Sequence, residues 1–237
     1  MQILDLKKID KSRTSAIERN SCVSLSVFSR FDGSRSPIYS NGGVHESSYY
    51  APSCPNDVEN NNKTLEVVKS LLKNQPDYLV LEELHYPSFW RCSQAELLDS
   101  CYCTSCVEKF RNQKLYGEQL PNDLQALVDI IDGSFYIDWL EYKCSVVTEM
   151  LLKVKELVSI LSPNTKLCAV VPSWKEKHNG SGLKRLLGID LDVFSAQLDY
   201  VLYDQKFQSD FDTEDYKEFL LAIGPNLLQF DNIFRST

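Results

Sequence analysis

Asp57-Val-Glu-Asn-Asn-Asn-Lys-Thr-Leu-Glu-Val-Val-Lys-Ser-Leu-Leu-Lys73, then Asn74-Gln-Pro-Asp77, then Tyr78-Leu-Val-Leu81 and Glu82-Glu83-Leu84-His85-Tyr86-Pro87 is the stretch that decides the fold class. Its first part spaces Val58, Leu65, Val68, Leu71 and Leu72 as the inward face of a helix, and Pro76 follows where a helix has stopped. Its second part is a short continuous apolar run that ends abruptly in two glutamates. A wholly apolar strand fed by an amphipathic helix is the repeating unit of a parallel sheet covered on both faces.

The same alternation extends in both directions. Upstream, residues 2–19 read as a helix, Cys22 to Phe28 as a short strand, and residues 30–57 as a long loop rich in Ser, Gly, Pro and Tyr. Downstream, helical pieces are expected over 93–116 and 122–131, and a long helix from Phe135 to Leu161 before Ser162-Pro163-Asn164. Lys166–Val171 is a third strand, and short helices follow around Leu183–Leu187 and Asp190–Gln197. Leu198–Tyr203 is a fourth strand, Asp212–Ala222 a helix, and Asn226–Phe230 a fifth strand. No Gly-x-Gly-x-x-Gly or Walker A loop follows any strand, which removes support for a nucleotide fold. The expectation is one α/β domain over 1–237, a barrel or open parallel sheet, with a cysteine-bearing insertion at about 88–117.

In such folds chemistry gathers where the strands end. The strand ends here carry Arg30-Phe31-Asp32, Glu82-Glu83-His85, Ser173-Trp174, Tyr203-Asp204 and Asp231-Asn232. Carboxylates beside aromatic rings suit a sugar site: the acids supply proton transfer and nucleophile, the rings meet the sugar's apolar face. The 237 residues carry 25 Lys and Arg against 33 Asp and Glu, a net charge of -8. That balance repels phosphates, so neither nucleic acid nor an anionic membrane is expected as a partner. The opening Met1-Gln-Ile-Leu-Asp-Leu-Lys-Lys8 is amphipathic rather than signal-like, and no apolar run approaches the ~18 residues of a membrane span, so the protein is expected in the cytoplasm.

Eight cysteines are many for such a chain. In a reducing compartment clustered cysteines point to metal or catalysis rather than disulfides. Cys22, Cys144 and Cys168 sit in apolar patterns and read as buried small hydrophobes. Cys101-Tyr-Cys103-Thr-Ser-Cys106 places three thiols in one turn entering a helix. The Cys-x-x-Cys pair has the bite of a tetrahedral metal site, which needs a fourth ligand, and Cys54 and Cys92 are the candidates. Soft sulfur ligands favour zinc or an iron–sulfur centre, and the lack of any electron-transfer feature favours zinc. Four cysteines would close the coordination sphere and make the metal structural.

Taken together, Tyr50-Ala-Pro-Ser-Cys54-Pro-Asn-Asp57, the strand ending in carboxylates, Cys101-Tyr-Cys-Thr-Ser-Cys106, Glu108-Lys-Phe-Arg111 and Leu115-Tyr-Gly117 resemble the zinc-containing β-galactosidases of glycoside hydrolase family 42, over roughly residues 20 to 205. The chain is similar also to glycosyl-hydrolase-like barrels with a carboxylate at the Glu82 position, a basic residue at the His85 position, and then Tyr86-Pro87. The resemblance implies a parallel (β/α) barrel of glycosidase type, incomplete at both ends. It implies zinc on Cys54, Cys101, Cys103 and Cys106, with Cys92 as substitute for Cys54. The acid/base role falls on Glu82 first and Glu83 second, because the Asn-Glu pair of the β-galactosidases is Glu82-Glu83 here. Asp231 is the only candidate for the second carboxylate and differs from the family's Glu. Arg30, Asp32, His85, Trp174, Tyr203 and Asp204 are the residues expected to bind substrate. Two functions follow as expectations: a glycoside-hydrolase-like protein using carboxylate acid/base catalysis on carbohydrate, or a catalytically degenerate barrel that binds carbohydrate or assembles. Open sheet edges would need covering, which implies a homo-oligomer or a larger partner.

Overall fold

The computed structural model describes residues 21–29, 35–40, 42, 52–87, 100–115, 119–172 and 183–204. Four strands form one sheet: β1 Cys22–Ser26, β2 Tyr78–Glu82, β3 Lys166–Pro172 and β4 Tyr200–Asp204. Their spatial order is β1-β2-β3-β4, and every pairing is parallel. Cys22 lies opposite Tyr78, Tyr78 opposite Lys166, and Cys168 opposite Tyr200. Chain order equals spatial order, which is how a (β/α) barrel is laid down. Among the described residues the circuit is incomplete.

Parallel strands need long crossovers, and helices supply them. Between β1 and β2 runs α1 (Val58–Leu72). Between β2 and β3 come α2 (Thr104–Lys114), α3 (Leu124–Gly133) and α4 (Tyr136–Leu161). Between β3 and β4 lie a π-helical turn, Leu183–Leu187, and α5 (Leu191–Ser195). The sequence sets several of these limits locally. The Asp57 carboxylate accepts from the Asn60 N–H at 3.2 Å and starts α1; the Asp123 carboxylate accepts from Ala126 N–H at 2.9 Å and starts α3. Helix α4 stops at Ser162, where Pro163 has no N–H to continue the ladder.

Successive side chains of each strand divide between two cores. Leu79 and Leu81 of β2, Leu167, Ala169 and Val171 of β3, and Val201 of β4 face the helices and join the main core with Trp139, Val147, Leu151 and Val154 of α4. Cys22, Val80, Cys168 and Leu202 form a second cluster on the opposite face, with Tyr78, Val170 and Tyr200 packed beside it. Helix α4 is the hub, packing on α1, α2, α3, α5 and the π turn. Its buried positions Trp139, Tyr142, Lys143, Val146, Val147, Met150, Leu151, Val154 and Val158 recur at helical spacing.

One expectation about α1 is corrected. Val58 is 57% exposed rather than inward, and Leu65 is only half-buried. The buried stripe runs through Asn60, Thr64, Val68, Leu71 and Leu72. Two polar residues occupy it because they have backbone partners. Asn60 donates to the Ser29 carbonyl at 3.1 Å, and the Thr64 hydroxyl donates to the Val27 carbonyl at 3.1 Å. These bonds tie α1 to the end of β1, which a helix read only for apolar spacing does not reveal.

Candidate functional site

Two groups of chemically capable residues lie at or beyond the carboxyl end of the sheet. The first is the cysteine cluster. Cys54 sits in a turn ahead of α1: its N–H donates to the Arg35 carbonyl, and its own carbonyl accepts from Asp57 N–H, both at 2.9 Å. Ser53 N–H donates to Phe28 O at 2.7 Å, so this turn is pinned to the end of β1. Cys103 is the N-cap of α2, and Cys106 lies in that helix's first turn, with its N–H on the Cys103 carbonyl at 2.9 Å. Residues 35–40 run between the two segments, where Tyr102 N–H donates to Ile38 O. The outcome is four buried thiols, Cys54, Cys101, Cys103 and Cys106, with all sulfurs within 4.8 Å of one another. Cys54 Sγ lies 3.5 Å from Cys103 Sγ and 3.4 Å from Cys106 Sγ.

A tetrahedral ion with ligands at ~2.3 Å needs sulfurs about 3.8 Å apart, so these residues fit a four-sulfur metal site. None of the four is in a disulfide. Their electrostatics fit as well. Burial pushes the Cys106 thiol well up, and hydrogen bonding to Cys101 and then Cys103 pushes Cys54 up. Cys103 is driven strongly down by hydrogen bonds from Cys101, Cys106 and Cys54. The surroundings supply N–H donors to sulfur. Ile38 N–H points at Cys101 Sγ at 3.4 Å, and the Asn56 amide at Cys106 Sγ at 3.2 Å. Four protein sulfurs leave no open coordination position, so a bound ion would act as a cross-link between the loop before α1 and the start of α2.

Beneath the cluster the core is aromatic. Trp139, fully buried, stacks on Tyr102 at 5.1 Å and on Tyr142 at 5.4 Å, with Phe110 edge-on at 4.9 Å. Cys22, Cys144 and Cys168 are buried, as their apolar surroundings implied.

The second group ends β2. Tyr78, Val80 and Glu82 alternate onto the face away from the helices, so Glu82 is the carboxylate that strand alternation directs to that face. Glu83 follows with φ 52°, in the left-handed region, and so departs from strand alternation. Its carboxylate meets His85 Nε2 at 3.2 Å, with the imidazole only 3% exposed. The other ring nitrogen, Nδ1, lies 2.8 Å from the Tyr86 carbonyl, which can only accept. Nδ1 is therefore protonated, and a neutral ring would turn its lone pair toward Glu83.

The remaining expected site residues divide simply. Tyr203 and Asp204 lie at the end of β4, opposite Val171 and Pro172. Arg30, Asp32, Trp174, Asp231 and Cys92 lie outside the described residues, as do the helices 2–19 and 212–222 and the strand 226–230. Sequence reading missed Asn56, Tyr142 and Lys143, all buried. Asn56 follows Cys54 by two residues, a proximity that flags a ligand's neighbour. Lys143 sits on the apolar face of α4 and gives no warning of its role. Its ammonium donates to the Arg185 and Leu186 carbonyls of the π turn and lies 4.8 Å above the Tyr86 ring.

No family model matches the chain, and no curated protein matches it. Solved structures do. Two structures of Gan42B, a GH42 β-galactosidase from G. stearothermophilus, one of them a catalytic mutant, superpose with a TM-score of 0.53 at 14% identity. Each covers 81% of this chain and 31% of its own. The β-galactosidase of Bacillus circulans sp. alkalophilus matches with a TM-score of 0.49 at 13% identity, over 79% of this chain and 29% of that one. The chain spans about a third of the length of the structures it matches. At such identity the likeness speaks to architecture: the described sheet and helices are an arc of a glycosidase-type (β/α) barrel.

Proposed function

We propose that the protein is a glycoside-hydrolase-type enzyme acting on carbohydrate at the carboxyl end of this sheet, with a glutamate of the Glu82-Glu83 pair as proton donor. The observation that carries the reading is the 3.2 Å contact of the Glu83 carboxylate with the buried His85 ring, one residue beyond Glu82 at the end of β2. A general acid must arrive at the reaction already protonated, and a carboxyl backed by an imidazole can be. This moves Glu83 ahead of Glu82 as donor and leaves Glu82 to bind or orient the sugar. Asp231 is proposed as the second carboxylate, and Arg30, Asp32, Trp174, Tyr203 and Asp204 as the lining that holds sugar hydroxyls and ring faces. Zinc is proposed as the ion on Cys54, Cys101, Cys103 and Cys106, in a structural role. The location proposed is the cytoplasm; among the described residues no helix is long and apolar enough to cross a membrane.

The test is a screen with chromogenic aryl glycosides, followed by Glu83→Gln and Glu82→Gln. Loss of the general acid is expected to lower turnover by about 10²–10⁴-fold. Full activity in both variants would sink the assignment. A second reading is a catalytically degenerate barrel that binds carbohydrate or assembles. It is favoured by the Glu83 carboxylate already having a protein partner, with only 17% of its side chain exposed. Glycan-array binding without hydrolysis would decide for it. Under either reading β1 and β4, each paired on one side among the described residues, are proposed to be covered by a second copy or a larger partner. A strictly monomeric mass in light scattering would count against that.

A further inference from the structure

We infer that Asn56 and Lys109 act as one relay that makes Cys106 a better metal ligand, delivering positive charge to its sulfur through an amide. The inference rests on metal occupancy of the four-cysteine cluster. The geometry fixes every atom of the relay. Lys109 Nζ, on the first turns of α2, lies 3.0 Å from Asn56 Oδ1. Asn56 Nδ2 lies 3.2 Å from Cys106 Sγ and 2.9 Å from Tyr142 Oη. The Tyr142 hydroxyl donates its own proton to the Cys106 carbonyl at 2.9 Å, so toward Asn56 it can only accept. An ammonium can only donate, so it can only meet the amide oxygen. Both neighbours impose the same amide orientation, and that orientation aims an N–H at sulfur.

The electrical need is clear. A divalent ion with four thiolates carries a net charge of about -2, and here it would be buried among Trp139, Phe110 and Tyr86. Water cannot reach the sulfurs to solvate that charge. Ile38 N–H serves Cys101, and α2 begins at the cluster with its positive end. Cys106 is wholly buried, and the Asn56 amide gives its sulfur a polar contact from outside the cluster. Lys109 itself does not touch sulfur. It polarises Asn56 from the far end of the amide, and hydrogen bonds in series strengthen one another in a low-dielectric setting. Groups that orient and polarise metal ligands commonly control affinity as strongly as this arrangement implies.

The experiment uses the full chain, loaded with Zn2+ for affinity and with Co2+ for spectroscopy. Wild type is expected to bind one ion per chain. Asn56→Asp keeps the shape but puts an acceptor against sulfur. Asn56→Leu removes the hydrogen bond without adding charge. Each is expected to weaken Zn2+ by about 10–100-fold in chelator competition. In the Leu variant the sulfur-to-cobalt charge-transfer band should move to longer wavelength, because a sulfur lone pair relieved of its donor is easier to ionise. A side chain that merely fills space would not move that band. Lys109→Met is expected to cost less than about tenfold, and nothing further once Asn56 is Leu, since its effect passes through the amide. Unchanged affinity and band in Asn56→Leu would overturn the relay while leaving the metal site standing. Additive losses in the double variant would also overturn it. Wild-type protein that binds neither ion would overturn the metal site and the relay together.

Discussion

The cysteine corner and the end of β2 are neighbours in the chain, yet they are built in opposite ways. In the corner, four sulfurs from two distant segments converge, with backbone donors, an amide and stacked aromatics fixing them. At the strand end, Glu83 meets one imidazole, which the backbone of Tyr86 holds in turn, and Glu82 precedes it in the strand. The first arrangement is closed and satisfied on all sides, so its natural product is stability. The second leaves the Glu83 carboxylate in a partly exposed contact with an imidazole, which suits the proton transfer proposed for it.

The sharpest way to break this comparison is to remove the clamp. Chelation of the metal-loaded protein, or Cys106→Ser, is expected to cost on the order of 5 kcal/mol, read as a fall of roughly 10–20 °C in Tm for a chain of this size. A Tm unmoved by chelator would make the corner an ordinary patch of core. Next in size, Trp139→Ala should cost about 3–5 kcal/mol in chemical denaturation, because it removes the ring on which Tyr102, Tyr142 and Phe110 rest.

A pH effect separates the cluster from the other cysteines. Burial, helped by the charge of Asp190, pushes Cys144 up to about 11, and burial, helped by Cys22, pushes Cys168 up to about 12. Their unfolded-state value is 9.0, so above it the folded chain holds protons that the unfolded chain releases. The stability they contribute is fully present below pH 9 and lost as pH rises toward 11–12, on the order of 3 kcal/mol for Cys144 and 4 kcal/mol for Cys168 at most. Denaturation midpoints of metal-loaded protein between pH 8 and 11 should fall accordingly. A flat profile would place these two thiols in contact with water. The smallest effect is expected at the strand end. Glu83→Gln should cost only about 1 kcal/mol of stability, however much it lowers turnover. A loss as large as that of Cys106→Ser would mean that Glu83 is a structural residue.

How much of this was legible beforehand differs between the two regions for physical reasons. Helix α1 was bounded at Asp57 and Lys73 because apolar spacing and a following proline are local signals, and the observed helix is Val58–Leu72. Strands β2 and β3 were readable because a strand buried on both faces has to be apolar throughout. Three of the four cluster cysteines announced themselves by spacing. Cys54 was separated from Cys92 only through resemblance, since no local rule says which distant thiol will meet a Cys-x-x-Cys pair. The inward Val58 was misread because Asn60 and Thr64 bury themselves by bonding to backbone that a periodicity count does not see. Lys143 was invisible for the same reason: its partners are carbonyls of a turn far along the chain.

The order of the sheet also bears on how the chain finds its shape. Tyr78 must wait for Lys166 to arrive from beyond three helices before β2 and β3 can pair, and no pairing in the sheet is local. Assembly of that kind is slow, because loop closure comes before the contacts that reward it. A cross-link joining Cys54 to the start of α2 would gather the flank of β2 early and shorten the remaining search. The clamp would then govern the rate at which this protein folds as much as the stability it reaches, and refolding with and without Zn2+ in stopped flow would separate the two.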